Sequence, residues 1–370
     1  MNSPGGDDLR WLDAAARIAM PYRGTTAENP TVGAIVVSPD GVMLGRAVTA
    51  SGGRPHAEPQ ALALAGERAK GATLYVTLEP CNHWGKTPPC VDAVIASGIS
   101  RAVIGASDPD PRTAGQSIAK LRGAGLDVAV AENHAPSLEL HEGFFSRIVR
   151  RRPFVTAKLA ISADGKVGLS DKANVAITGE IARRWTHMQR ALSDAVMVGG
   201  NTAILDRPRL SVRLPGLENR KPLRVFLFSW KQMNHVANLA GQDTVFITEK
   251  RTLESVPQPH EGVESEFDVV ESPSDNGRPN PLRGLEELAR RDISTVLVEG
   301  GATLNDALLD AGLVDRFHLL ESDIEIGPQG VPATVHRSLP DRLAQLGFIP
   351  VDHRALGCDR LTTFEKKQHR

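Results

Sequence analysis

The sequence predicts an α/β protein of two domains, residues 1–150 and 151–370. Three observations carry that reading. The chain has 370 residues, more than one hydrophobic core usually organises. Short β-branched runs alternate along it with segments of helical periodicity, the pattern of layered α/β structure. Midway, the basic run Arg147-Ile148-Val149-Arg150-Arg151-Arg152-Pro153 interrupts the alternation and reads as a connector. Such charge runs usually face water; a patch that draws in phosphorylated substrates is the alternative.

In the first domain, residues 11–19 have apolar spacing that predicts a helix. Residues 32–37 and 42–48 flank Asp40-Gly41 and predict a β-hairpin. A helix over 57–69, rich in Ala, Leu and Glu, leads to a strand at 74–78. A loop rich in Gly and Pro follows, then a helix that starts near Pro89 or Cys90 and stops before Gly98. A strand at 102–106, a helix at 117–122, a strand at 128–130 and a helix at 137–147 complete the domain. The second domain opens on a strand at 154–162. Apolar runs at 195–198, 225–228, 245–248 and 295–298 read as buried parallel strands, with helices at 181–191, 282–291 and 304–311. The polar stretch 271–283 reads as a surface loop.

Composition narrows the function classes. Net charge is −1 and only 4% of residues are aromatic, so neither a broad cationic face nor many stacking platforms favour nucleic acid. The three cysteines, Cys81, Cys90 and Cys358, do not make a disulfide scaffold and suit a reducing compartment. Neither a signal peptide nor a membrane span is expected from the apolar runs.

Two short motifs carry chemistry. His56-Ala57-Glu58 opens a helix, and Glu79-Pro80-Cys81 is followed, eight residues on, by Cys90. One imidazole and two thiolates make three ligands, which leaves the fourth position of Zn2+ open, as in catalytic sites. Glu58, two residues from its ligand, suits a proton carrier between water and departing ammonia. Order and context match the zinc deaminase signature, although that signature has two residues between its cysteines. The rival is a structural zinc site closed by a fourth ligand, for which His83 is the near candidate.

A longer set of motifs resembles a known family. Asn29-Pro30-Thr31-Val32-Gly33, Pro55-His56-Ala57-Glu58, the stretch Tyr75 to Cys90 and Asp108-Pro109-Asp110-Pro111 resemble the bifunctional deaminase/reductases of riboflavin biosynthesis, whose cysteines have this longer spacing. Lys158-Leu159-Ala160-Ile161-Ser162-Ala163-Asp164-Gly165-Lys166, Asp194 to Gly199 and Val298-Glu299-Gly300-Gly301-Ala302-Thr303 resemble the reductase half. The resemblance implies a cytidine-deaminase-like first domain and a dihydrofolate-reductase-like second domain. It implies Zn2+ and NADPH as cofactors and a phosphoribosyl-pyrimidine as substrate. That substrate is deaminated and then reduced from ribosyl to ribityl. It also implies a homo-oligomer, dimer or tetramer.

By the same resemblance, Asn29, His83, Lys86 and Asp108 hold the deaminase substrate. Asn174, Arg190, Leu210, Arg213 and Glu299 hold the reductase substrate, and the two guanidinium groups suit a ribose phosphate. Ala160, Ala176, Thr202, Asp206, Gly301, Ala302, Thr303, Leu304, Asn305, Asp306 and Ala307 meet the cofactor, and Asp206 is also the candidate acid or positioning group. The residues themselves say less here. Residues 298–303 form a strand-to-helix turn in which small residues let backbone N–H groups approach a phosphate, but there is no G-x-G-x-x-G. Three departures bear on this half: Ala176 where many members have Trp, Asp206-Arg207-Pro208 for Asp-Asp-Pro, and Phe228 where an Asp commonly precedes the Ser. They motivate a second reading, an active deaminase with a weakened or non-catalytic nucleotide-binding second domain. A third reading is a base editor acting on RNA or DNA with the same zinc chemistry, which the charge and aromatic content oppose.

Overall fold

The computed structural model describes residues 3–173, 175–249, 268–273, 277–335 and 338–366. The chain divides into two compact units, Met1–Arg151 and Arg152–Arg370.

The first unit comprises α1 (Gly6–Ala19), β1 (Gly33–Val37), β2 (Met43–Val48), α2 (Ala57–Ala65), β3 (Thr73–Val76), α3 (Cys90–Ala96), β4 (Arg101–Ile104), α4 (Gln116–Gly123), β5 (Asp127–Val130) and α5 (Ala135–Phe145). Its sheet has the order β2-β1-β3-β4-β5, with β1 antiparallel to both neighbours and β3, β4 and β5 parallel. Strand alternation sorts the side chains into two cores. Ala34, Val36, Leu74, Val76, Ala102 and Ile104 pack on the face covered by α2 and α3. Ile35, Val37, Tyr75 and Val103 pack against Leu12 and Ala15 of α1. The approach of α1 is so close that a Cβ on Gly33 would lie 2.0 Å from the Ala15 carbonyl oxygen.

The second unit comprises β6 (Phe154–Ile161), β7 (Lys166–Leu169), α6 (Glu180–Ala191), β8 (Ala195–Gly199), α7 (Gly200–Asp206), β9 (Leu223–Leu227), α8 (Met233–Val236), β10 (Thr244–Thr248), β11 (Asp268–Glu271), α9 (Pro281–Arg290), β12 (Thr295–Val298), α10 (Ala302–Asp310), β13 (Arg316–Glu321), β14 (Gly330–Pro332), α11 (Leu339–Gln345), β15 (Phe348–Leu356) and β16 (Asp359–Lys366). Among the described residues nine strands form one sheet, ordered β11-β10-β9-β8-β12-β6-β13-β16-β15. The run from β11 to β13 is parallel, and β16 and β15 close the edge antiparallel. Carboxyl ends of β6, β8 and β12 therefore gather at one edge, the usual place for a ligand in a parallel sheet.

The predicted strands and helices are present, with shifts of a few residues at their ends. The elements that the sequence reading does not reveal are β7, the short helices α7 and α8, β11, and everything from β13 to β16, α11 included. Most residues of β15 are exposed, so it has no apolar face to read. The 271–283 stretch is shorter as a loop than expected, because Asn280 accepts from the N–H groups of Leu282 and Arg283 and starts α9 there. The basic connector is only partly a solvated run. Buried Arg152 forms a paired hydrogen bond with Asp315 at 2.6 and 2.8 Å, and Arg147 donates to the Glu28 carbonyl.

His141 on α5 is fully enclosed, with Nε2 3.0 Å from Thr77 Oγ1. Burial pushes its pKa from 6.5 down to about 3. The unfolded chain takes up that proton below pH 6.5 and the folded chain does not, so the first unit loses stability as pH falls through this window. The slope is up to about 1.4 kcal/mol per pH unit. His141→Gln should remove this contribution, seen as a flatter pH dependence of urea unfolding between pH 6.5 and 5; an unchanged slope would refute the assignment.

Candidate active sites

Three segments meet in the first unit. His56 immediately precedes α2, Cys81 follows the turn after β3, and Cys90 is the first residue of α3. Their ligand atoms all lie within 4.8 Å of one another. His56 Nδ1 is 3.2 Å from Cys90 Sγ and 3.6 Å from Cys81 Sγ, and the Cys90 N–H donates to Cys81 Sγ at 3.3 Å. The hydrogen bond from Cys90 favours the Cys81 thiolate, and the same neighbour, with burial, pushes the Cys90 thiol up. Two soft sulfurs and an imidazole at this separation fit Zn2+. Among the described residues no fourth His, Cys, Asp or Glu joins the group, so His83 does not close it.

Glu58 lies in the first turn of α2 and is 3% exposed. Its Oε2 is buried without a hydrogen-bond partner, and burial is the main cause that pushes its pKa up to about 7. Such a carboxyl can hold or release a proton near neutral pH. Asn29 places Oδ1 3.2 Å from His56 Nε2 and leaves Nδ2 buried without a partner. Asp108 is buried beyond β4, and desolvation raises its pKa to about 7. His83 has a buried, unpartnered Nδ1 on the 82–88 loop. Lys86 is exposed on that same loop, 3.1 Å from Glu28.

In the second unit a cleft of about 1050 Å³ opens at the strand ends. Of the expected residues, Ala160, Ala176, Arg190, Leu210 and Glu299 line it, together with Thr202, Asp206, Gly301, Ala302 and Thr303. Thr202, Gly301 and Thr303 also border an adjoining pocket of about 280 Å³, which Leu304 and Ala307 help to line. Thr202 Oγ1 accepts from the Gly301 N–H at 3.1 Å and joins the first turns of α7 and α10. Asn174 lies outside the described residues.

Some expectations change. Asn305 and Asp306 do not line either cavity, because successive helical residues rotate by about 100° and carry them off the cleft face. Asn305 instead donates to the carbonyls of Gly300 and Gly301, and Asp306 accepts from Thr334 Oγ1. Arg190 does not offer a free fork to a phosphate. Its Nε and Nη2 donate to the two oxygens of Glu299, and Nη1 donates to the Ser211 carbonyl. Arg213 lies beside this group rather than along the cleft wall, and its backbone N–H donates to His187 Nδ1 at 3.1 Å.

The sequence reading misses Lys158 and Arg183 on the large cleft and Ser229 and Arg278 on the small one. Lys158 Nζ is 3.8 Å from Glu299. Its signal was present: a lysine in a strand whose residues alternate between buried and half-buried. Burial opposes the charge of Glu299, but Lys158 and Arg190 outweigh it and hold the carboxyl below its ordinary range.

A zinc-ligand triad beside a buried carboxyl in one unit, and a parallel-sheet cleft with charged groups at its floor in the other, define a two-domain deaminase and reductase. Residues 7–106 match the family model of the cytidine and deoxycytidylate deaminase zinc-binding region, and residues 153–359 match that of the RibD C-terminal domain. Riboflavin biosynthesis protein RibD of Aquifex aeolicus is 38% identical over 333 residues, 88% of this chain and 91% of the relative. That of Escherichia coli is 36% identical over 323 residues, 84% of this chain and 86% of the relative. The solved Acinetobacter baumannii RibD superposes with a TM-score of 0.83 at 30% identity, covering 98% of this chain and 99% of that one. A Thermotoga maritima diaminohydroxyphosphoribosylaminopyrimidine deaminase/5-amino-6-(5-phosphoribosylamino)uracil reductase superposes at 0.81, also with 30% identity, covering 97% and 99%. The chain belongs to the RibD family, bifunctional deaminase/reductases of riboflavin biosynthesis. Its cofactors are Zn2+ and NADPH, and no observation favours a non-catalytic second domain.

Elemental analysis of the purified chain should find one zinc per chain. Cys81→Ser and Cys90→Ser should each lose most of it, because the hard hydroxyl is a poor substitute for thiolate. Full zinc retention in both variants would rule out this ligand set.

Proposed function

We propose that the chain removes the 2-amino group of 2,5-diamino-6-(5-phosphoribosylamino)pyrimidin-4-one and then reduces the ribosyl group of the product to ribityl. The observation that carries the reading is the buried, unpartnered Glu58 oxygen beside His56, Cys81 and Cys90. The activity named for the Thermotoga maritima relative supports both steps. We take residues 1–150 as the deaminase domain and 151–370 as the reductase domain, a boundary one residue from the division of the chain into compact units.

In the first domain His56, Cys81 and Cys90 would hold zinc. When bound there, the ion supplies the Lewis acidity that lets water lose a proton near neutral pH. Glu58 takes that proton at Oε2 and returns it to the departing ammonia nitrogen. Asn29 Nδ2 donates to the pyrimidine edge, and His83, Lys86 and Asp108 hold the rest of the substrate.

In the second domain NADPH supplies the hydride. The N–H groups at the start of α10, which Gly301, Ala302 and Thr303 leave accessible, would hold its phosphates. Glu299, kept ionised by Lys158 and Arg190, accepts from sugar hydroxyls. Arg213, whose guanidinium lies 3.5 Å from Ser211 Oγ and forms no ion pair among the described residues, takes the ribose phosphate. The ring-opened ribosyl group is the imine that accepts hydride at carbon, and Asp206, on the cleft wall at the end of α7, would supply the proton to its nitrogen or position it.

No described helix is long and apolar enough to cross a membrane. We place the reaction in the cytoplasm, on the reduced cysteines and phosphorylated substrate. We also take the chain to be a homo-oligomer, dimer or tetramer. The edge strand β15, with Ile349 and Val351 about half exposed, supports this reading. Light scattering should give a mass of two or four chains; a monomer at micromolar concentration would exclude it.

Glu58→Gln should lower deamination by roughly 10²–10⁴-fold while zinc remains bound. Reduction of the already deaminated compound should stay near the wild-type rate. Ammonia release from this variant at the wild-type rate would remove Glu58 from the mechanism, and failure of both steps in a folded variant would contradict separate sites.

A further inference from the structure

Asn29 sits in the segment between α1 and β1, and its backbone is fixed from two directions. Its N–H donates to the Thr26 carbonyl at 3.1 Å, and Thr26 Oγ1 donates to its carbonyl at 2.8 Å. Thr26 is buried. Against the side-chain amide lies Gly53, whose φ of 87° falls in the left-handed region. A Cβ at that position would be 2.3 Å from Asn29 Nδ2 and 2.6 Å from the Thr26 carbonyl oxygen, so glycine alone permits the approach. The amide is therefore seated by the fold before any ligand arrives.

Its oxygen meets the metal-ligand histidine. Asn29 Oδ1 is 3.2 Å from His56 Nε2, while His56 Nδ1 faces Cys90 Sγ at 3.2 Å and Cys81 Sγ at 3.6 Å. A neutral imidazole has one N–H and one lone pair, on different nitrogens. An amide oxygen only accepts, so the hydrogen belongs on Nε2 and the lone pair on Nδ1 points toward the sulfurs. The opposite amide orientation would donate to Nε2, put the hydrogen on Nδ1 and block the ligand atom. Which nitrogen binds a metal is set by the hydrogen bond that the other one makes.

We infer that Asn29 is a positioning residue for His56: its carbonyl selects the imidazole tautomer that binds zinc through Nδ1, while its Nδ2 stays available to the pyrimidine. The inference rests on the reading of His56, Cys81 and Cys90 as the zinc set. One side chain would thereby tie metal affinity to substrate recognition.

The test compares Asn29→Ala with Asn29→Asp in the full chain, with zinc affinity read by competition against a chromophoric chelator at fixed pH. Removing the acceptor in Asn29→Ala should weaken zinc by roughly 10–100-fold. Asn29→Asp keeps an acceptor for the Nε2 hydrogen and should hold zinc at least as tightly as the wild type. Wild-type affinity in Asn29→Ala, or equal losses in the two variants, overturns the inference. Should either variant fail to fold, the ring ¹⁵N resonances of neutral His56 in the wild type after zinc removal decide the matter. A proton on Nε2 supports the assignment and one on Nδ1 overturns it. A wild-type chain without stoichiometric zinc fails at the earlier step, the zinc set itself, and takes this inference with it.

Discussion

The turn that leaves β3 fixes the deaminase site, because it must present Cys81 to a helix start on either side. Backbone and side-chain hydrogen bonds hold it there. Thr77 Oγ1 accepts from the Gly33 N–H at 3.0 Å and so joins β3 to the start of β1, close after Asn29. Glu79, 2% exposed, accepts from the N–H groups of Asp108, Gly115 and Ile118. Its carboxylate thereby binds the turn carrying Cys81 to the loop carrying Asp108 and to the start of α4. Three backbone N–H groups thereby satisfy its oxygens inside the fold.

Glu58 is almost as buried as Glu79, and its environment is the reverse. One oxygen has no partner, and desolvation favours the protonated form near neutral pH. Two carboxylates in one small region thus differ, one holding the backbone and the other left with an unpartnered oxygen, and hydrogen-bond satisfaction separates them. Glu299 in the second unit is a third case, buried and kept ionised by the two cations that face it. Burial alone therefore does not say what an acidic side chain does; the identity of its partners does.

The departures from the family pattern acquire places in the fold. Phe228 is 2% exposed and packs edge-on against Phe246, with ring centroids 5.4 Å apart, so the position has become part of a core cluster. Arg207 ends α7 with φ of 44° and lines the large cleft, where a cation beside Asp206 suits an anionic ligand. Ala176 lines the same cleft with a small side chain, and no aromatic side chain is among the described residues that line it.

The sequence by itself determined the chemistry of the first domain and most of the parallel framework. His-Ala-Glu and Pro-Cys carry their residue types at fixed spacings, and strands buried on both faces announce themselves as apolar runs. It could not reveal β15, because an exposed edge strand has no hydrophobic pattern, nor could it assign Arg190 a partner more than a hundred residues away in Glu299. Tertiary structure decided those points. It also separated Ala302, Thr303 and Ala307, which line the cavities, from Asn305 and Asp306, which do not, although all five lie within one helix. The reason is geometric: a motif fixes which groups are near in the chain, whereas hydrogen bonding and ionisation depend on directions and distances that packing alone sets.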